Sequence, residues 1–237
     1  MNPASKHLSV IIPAYNEEHV ILRTLEETRH ALAALEFEVV VVDDGSLDAT
    51  HSLVQQAADA DPCILAVRYD LNRGKGHALR YGFDHARGER VAFLDADLDL
   101  HPRLLCELMA VMDHTQADVV IGSKLHPQSQ VDYPLRRRLL SLGYYFLIRL
   151  MFGLPVLDTQ TGVKLFRREV LANVLPQLTV EGFAFDLQLL VLAHQHGYRI
   201  AGAPVALTFQ RQRLGRIGLP VVWQIWRDTL IVFRRTR

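Results

Sequence analysis

Three carboxylates at alternate positions close the run Val91-Ala92-Phe93-Leu94-Asp95-Ala96-Asp97-Leu98-Asp99. If the strand that begins there continues to Asp97, a period of two puts Asp95 and Asp97 on one edge. There they could hold a hard divalent cation together with the diphosphate it neutralises. Polar clusters of the same kind lie upstream: Tyr15 and Glu17 after Pro13, Asp43 and Asp44 after a run of valines, and Lys75 within Asn72-Arg73-Gly74-Lys75-Gly76. Acids brought into one crevice repel one another unless a cation sits between some of them. Neither a G-x-G-x-x-G nor a Walker sequence occurs, so any phosphate would be held by metal and basic side chains.

The elements needed to bring these residues together can be read from the apolar pattern. Leu8 to Ile12, Phe37 to Val42, Ile64 to Val67, Val91 to Leu94 and Val119 to Ile121 are short continuous apolar runs, the mark of strands buried on both faces. Between them, Asn16 precedes a helical stripe of Ile21, Leu25, Thr28, Leu32 and Leu35, Asp48 begins a helix reaching Ala58, and His77 begins one reaching Ala86. Strands alternating with helices predict an α/β fold with a mostly parallel sheet. In such sheets ligands lie outside the C-terminal strand ends, where every cluster named above would sit.

The chain of 237 residues, 49% hydrophobic and 22% charged, is long enough for a sizeable core. Cys63 and Cys106 lack metal-type spacing and are expected as free thiols in a reducing compartment; Met1 to Leu8 lacks the pattern of a secretory signal. No recurring ligand spacing links the histidines, which are expected to be structural or surface residues. Charge is uneven within a formally neutral chain: residues 209–237 carry seven arginines against Asp228, a net +6 that leaves −6 for the remainder. Arg136-Arg137-Arg138 precedes the apolar stretch Leu139 to Phe152, and Leu219 to Phe233 contains Trp223 and Trp226. Both stretches fall short of the ~20 apolar residues that span a bilayer. They read as core helices or as amphipathic helices lying on an anionic membrane surface. No nucleic-acid partner is expected.

Four motifs in order, Val10 to Glu18, Val41 to Ser46, Asn72 to Gly76 and Leu94 to Asp97, resemble glycosyltransferase family 2, the inverting enzymes of the Rossmann-like GT-A fold. Within it the chain is similar to polyprenyl-phosphate sugar transferases. Asp158-Thr159-Gln160-Thr161-Gly162-Val163-Lys164-Leu165-Phe166 and Phe183-Ala184-Phe185-Asp186 resemble the dolichyl-phosphate glucosyltransferase branch more than the mannosyltransferase branch. The resemblance implies a metal-dependent hexosyltransferase using Mg²⁺ or Mn²⁺. It would move glucose from UDP-glucose to a polyprenyl phosphate at the cytosolic face of a membrane. Mannose from GDP-mannose, a saccharide acceptor, or a non-catalytic nucleotide-binding scaffold are the alternatives.

The resemblance also implies roles. Pro13, Tyr15 and Glu17 match the nucleotide cradle, Asp44 the acid at the nucleoside end, and Lys75 a cation for the departing diphosphate. Asp95 would contact ribose or metal, Ala96 lies between, and Asp97 would ligate the metal. Asp99 replaces the glutamine that mannosyl relatives use as a further ligand. Lys124, Arg137 and Ser141 match positions holding the acceptor phosphate, joined by one of Arg211, Arg213 and Arg216. Asp158, Thr161 and Gly162 would line the sugar pocket. Asp186, with Phe183 and Phe185 around it, stands where many members place a general base; with an ionised phosphate acceptor it would instead position sugar hydroxyls or Lys164. The expected organisation is a nucleotide-sugar half over 1–125, an acceptor half over 126–208 and a basic, membrane-associated tail over 209–237.

Overall fold

The computed structural model describes residues 8–129, 135–156, 158–180, 184–206, 227 and 229–235. In chain order the elements are β1 (Leu8–Ala14), α1 (Ile21–Ala31), β2 (Phe37–Asp44), α2 (Thr50–Ala60), β3 (Ile64–Tyr69), α3 (Lys75–His85), β4 (Arg90–Leu94) and α4 (Leu104–Thr115). They continue with β5 (Val119–Ser123), α5 (Leu135–Phe152), β6 (Val163–Arg167), α6 (Arg168–Val174), α7 (Phe185–Gln195) and β7 (Ile200–Pro204). One sheet of order β3-β2-β1-β4-β6-β5-β7 joins all the strands. The pairs β1–β2, β1–β4, β2–β3 and β5–β7 are parallel, whereas β6 runs antiparallel to both β4 and β5.

Alternation along the strands separates two cores. Val39 and Val41 of β2 pack with Ile21 and Leu25 of α1, Val54 of α2 and Leu105 and Leu108 of α4. Val40 and Val42 pack on the opposite face with Leu79 of α3, Val170 of α6 and Leu187 and Leu190 of α7. Helices therefore cover both faces, which is why the strands read as unbroken apolar runs. The sheet is mostly parallel, as expected, with β6 as the exception.

Several local expectations need correction. β4 ends at Leu94, so Asp95 and Asp97 lie in a loop and not on the pleat of a continuing strand. The α3 helix starts at Lys75, two residues before His77. Gly74, with φ of 89°, makes the left-handed turn into it, a conformation that a side chain would strain. Asn16 does not cap α1, whose cap residue is Val20. Its amide oxygen instead accepts the Leu47 N–H at 2.9 Å. Similarly α2 begins at Thr50, and Asp48 braces it from outside by accepting the Thr50 N–H at 2.9 Å. Strands β6 and β7 were absent from the apolar reading. One carries a lysine at its second position and the other, Ile-Ala-Gly-Ala-Pro, is small and ends in proline.

Candidate functional site

At the C-terminal ends of β1, β2 and β4 the sheet opens into a cleft of about 280 Å³, lined by Pro13, Ala14, Tyr15, Glu17, Asp44, Lys75, Asp95, Ala96 and Asp97. Every residue expected at the donor site is there. The loop after β1 is laced to the loop after β2: the Asn16 N–H donates to Ser46 Oγ at 3.0 Å and the Glu17 N–H to Thr50 Oγ1 at 2.8 Å. Tyr15, 42% exposed, forms an open lip of the cleft.

Asp44 is buried, and its carboxylate accepts the Tyr69 hydroxyl at 2.7 Å and the backbone N–H groups of Arg73 and Gly74 at 2.7 and 2.9 Å. Burial, together with the neighbouring carboxylate, pushes the Tyr69 hydroxyl far above its ordinary pKa, so it remains a donor. Asp44 thus holds the loop that turns into α3 while presenting an edge to the cleft. Sequence reasoning missed Tyr69; a tyrosine at the last position of a strand is a weak signal for it.

Lys75 opens α3, and helical side chains lean toward the N-terminus, which aims its ammonium at the β4 loop. There it forms a close ion pair with Asp95. Burial opposes the charge on Lys75, but Asp95, Asp186 and Asp97 outweigh it and hold its pKa above the ordinary value. The β4 loop is anchored by Thr24, whose hydroxyl donates to the Ala96 carbonyl at 2.6 Å, and by the buried side chains of Leu98 and Leu100. Asp97 faces the cleft, and its Oδ1 accepts the Asp99 N–H at 3.1 Å. Asp99 does not line the cleft, and among the described residues no three metal-ligating side chains converge into a ready-made cluster. The donors that Asp95 and Asp97 present are carboxylate oxygens alone, which suit a hard cation such as Mg²⁺ or Mn²⁺.

Because β6 runs antiparallel, its lead-in residues reach the edge where β4 and β5 end. A Cβ built on Gly162 would lie 2.0 Å from Asp95 Oδ2 and 2.6 Å from its Cγ, so only glycine admits Asp95 in its present place. Thr161 is fully buried beside it. Asp158 Oδ2 accepts the Lys124 N–H at 3.3 Å, tying the end of β5 to the same lead-in.

Behind this wall lies the lysine that the resemblance offers as a partner for Asp186. Lys164 of β6 is 1% exposed; its Nζ donates to the Thr161 carbonyl at 2.6 Å and pairs with Asp186 Oδ1 at 2.8 Å. Burial drives the Lys164 pKa down and Lys75 adds to this, while Asp186 and Asp95 partly offset it. Asp186, in the first turn of α7, is thus an ion-paired carboxylate rather than an isolated base. A lysine within the apolar run Val163 to Phe166 was the available signal for Lys164.

Arg137 and Ser141 belong to α5, one turn apart, but their side chains lie outside the described set. Arg211, Arg213, Arg216, Phe183, Trp223 and Trp226 lie outside the described residues.

Residues 9–175 match the family described as Glycosyl transferase family 2. The chain is 37% identical over 215 residues to a dolichyl-phosphate beta-glucosyltransferase of Trichomonas vaginalis, covering 86% of this chain and 66% of that protein. It is 34% identical over 210 residues to the Homo sapiens dolichyl-phosphate beta-glucosyltransferase, covering 80% and 63% respectively. The chain thus spans just under two-thirds of the length of these relatives. Among solved structures, glucosyl-3-phosphoglycerate synthase from Mycobacterium tuberculosis, crystallised with Mn²⁺, UDP-glucose and phosphoglyceric acid, superposes with a TM-score of 0.72 at 20% identity. The match covers 97% of this chain and 80% of that one, a likeness of fold.

Proposed function

From the premise that this chain belongs to glycosyl transferase family 2, we propose that it transfers glucose from UDP-glucose to a polyprenyl phosphate with inversion at the anomeric carbon. The observation that carries the reading is the cleft itself, in which the loops after β1 and β4, the end of β2 and the start of α3 deliver carboxylates and one lysine to a single sheet edge. The choice of glucose and of a lipid phosphate follows the printed names of the relatives.

In this reaction a phosphate oxygen of the acceptor attacks C1 of the sugar as the bond from C1 to the nucleoside diphosphate breaks on the opposite face. The acceptor is already an anion at neutral pH, so no proton need be removed from it, and the larger demand is to stabilise the departing diphosphate. Asp95 and Asp97 would hold a divalent cation, which when bound supplies positive charge to that diphosphate. Lys75 is poised beside both carboxylates and contributes a second positive charge. Pro13, Tyr15 and Glu17 enclose the nucleotide, with Asp44 at its nucleoside end. Asp158, Thr161 and Gly162 wall the sugar. Lys124, Arg137, Ser141 and one of Arg211, Arg213 and Arg216 would bind the acceptor phosphate, while Asp99, which does not line the cleft, is left out of the metal set.

The division into a donor half, an acceptor half and a basic tail fits this scheme. Contact with a membrane surface is supported by α5, where Phe146 and Leu150 are 64% and 86% exposed and Arg149 lies between them. The 229–235 segment joins α5 through the rings of Phe152 and Phe233, 5.7 Å apart. No described helix is long and apolar enough to cross a membrane, so a surface contact is the form proposed.

The test is to incubate the purified protein with Mg²⁺, a polyprenyl phosphate and, in separate reactions, UDP-glucose and GDP-mannose, then weigh the glycolipid by mass spectrometry. A hexosyl polyprenyl phosphate from UDP-glucose alone is expected. Product only from GDP-mannose, or glycosylation of an added saccharide but not of the lipid, would overturn the assignment.

A further inference from the structure

Lys164 presents a cost that the fold alone does not repay. An ammonium buried to this degree persists only when paired, and an apolar residue of similar volume in a strand is often the more stable choice. Its two partners lie on different segments, each next to a residue that lines the cleft. The Thr161 carbonyl, 2.6 Å away, immediately precedes Gly162, which abuts Asp95. Asp186, 2.8 Å away, leaves its side chain 13% exposed and lies near enough for Lys75 to feel its charge. One cation therefore ties the lead-in to β6, the first turn of α7 and, through Gly162, the loop after β4.

We propose that Lys164 is a positioning residue for the donor's hexose, holding the Asp186 carboxyl group in place toward the sugar and the Thr161–Gly162 segment against Asp95. Carboxyl oxygens accept hydrogen bonds, which suits a ligand that offers hydroxyl donors. Neither contact of Lys164 reaches Tyr15 or Asp44, so the nucleotide end of the cleft does not depend on it. The proposal rests on the hexosyl-transfer reading above.

The two stand or fall on different measurements. Binding of UDP and of UDP-glucose is measured by calorimetry with Mg²⁺ on the full chain, for the wild type, Lys164→Met, Lys164→Arg, Asp186→Asn and the Lys164→Met/Asp186→Asn double variant. Lys164→Met is expected to bind UDP within about twofold of the wild type but UDP-glucose about tenfold more weakly, the loss of one hydrogen bond. Lys164→Arg should recover part of the loss. Adding Lys164→Met to Asp186→Asn should weaken UDP-glucose binding by less than about twofold, because the two residues act as one unit. If Lys164→Met does not fold, the double variant against Asp186→Asn carries the comparison, since it leaves no unpaired buried charge. Equal losses for both ligands, or no loss for either, would overturn the positioning role while leaving the functional reading in place. A wild type that binds neither ligand would defeat the functional reading, and this proposal with it.

Discussion

Replacing Gly162 by alanine puts a methyl group where Asp95 now lies. The added carbon would sit 2.0 Å from Oδ2, 2.6 Å from Cγ and 3.3 Å from Cβ of Asp95. An ordinary carbon–oxygen contact is about 3.2 Å, so the carboxylate must move by about 1 Å. The clashing atoms are the end of a side chain, and Asp95 can turn about χ1 toward the open cleft, which keeps the cost to the fold near the lower end of the 1–3 kcal/mol typical of overpacking. With roughly 2–4 °C per kcal/mol for a domain of this size, the melting temperature should fall by only a few degrees. Activity should fall much further. A displacement of about 1 Å in a positioned group can cost on the order of 10²-fold in rate, and here it also separates Asp95 from Lys75. Steady-state glucosyl transfer and thermal unfolding, read on the same preparation, test this directly. In an Asp95→Ala background the Gly162→Ala effect on turnover should largely vanish, because the methyl group then meets no carboxylate. Turnover of Gly162→Ala within about threefold of the wild type, or an equal loss with and without Asp95, would refute the reasoning.

Three other outcomes are expected. Asp97→Asn should lower turnover by on the order of 10²–10³-fold, the several kcal/mol a bound cation contributes, with circular dichroism unchanged; full activity in this variant would remove Asp97 from the site. Arg137→Ala should raise KM for the polyprenyl phosphate about tenfold and leave KM for the sugar nucleotide alone, and equal effects on both would argue against an acceptor role. Glu38→Gln tests the opposite edge of the sheet, where the buried carboxylate accepts Ser9 Oγ at 2.6 Å and the Arg87 backbone N–H at 2.6 Å. Burial acts to raise the Glu38 pKa, but these bonds and the Arg87 guanidinium more than reverse it, leaving it below the usual carboxylate range. A depressed folded pKa means stability present above the unfolded value of about 4.3 and lost as pH falls through the folded pKa. Urea unfolding should accordingly show Glu38→Gln weaker by about 1–3 kcal/mol at pH 7, the gap narrowing in acid; a gap independent of pH would contradict the linkage.

The first five strands and the helices α1 to α3 were legible because burial on both sheet faces writes itself as unbroken apolar runs, from Val39 to Val42 and from Val91 to Leu94. The donor cleft was legible because ligands of such sheets gather at strand ends, and the acids and Lys75 stand there. What could not be read was how these residues are held. The spacing of Asp95 and Asp97 suggested a pleat, but the loop that carries them is fixed by Thr24, a helix away, and by two buried leucines. The contact between Gly162 and Asp95 joins segments far apart in sequence and leaves no local periodicity. Strand β6 was concealed by the same lysine that makes it informative, since a charge in an apolar run usually marks a surface and here marks a buried pair.

The reversed direction of β6 also constrains how the chain comes to be folded. Strands β1 to β4 can associate as soon as they are synthesised, each crossover being short and helical. The outer edge of β4, Val91 to Leu94, then waits for Val163 to Phe166 to pair with it, and α4, β5 and α5 must be made first. An apolar strand with one open edge during that interval is a template for wrong partners, including the same strand of another nascent chain. Closing that edge is the event that also delivers Gly162 and Lys164, so a chain interrupted before β6 would have neither a protected sheet nor a complete cleft.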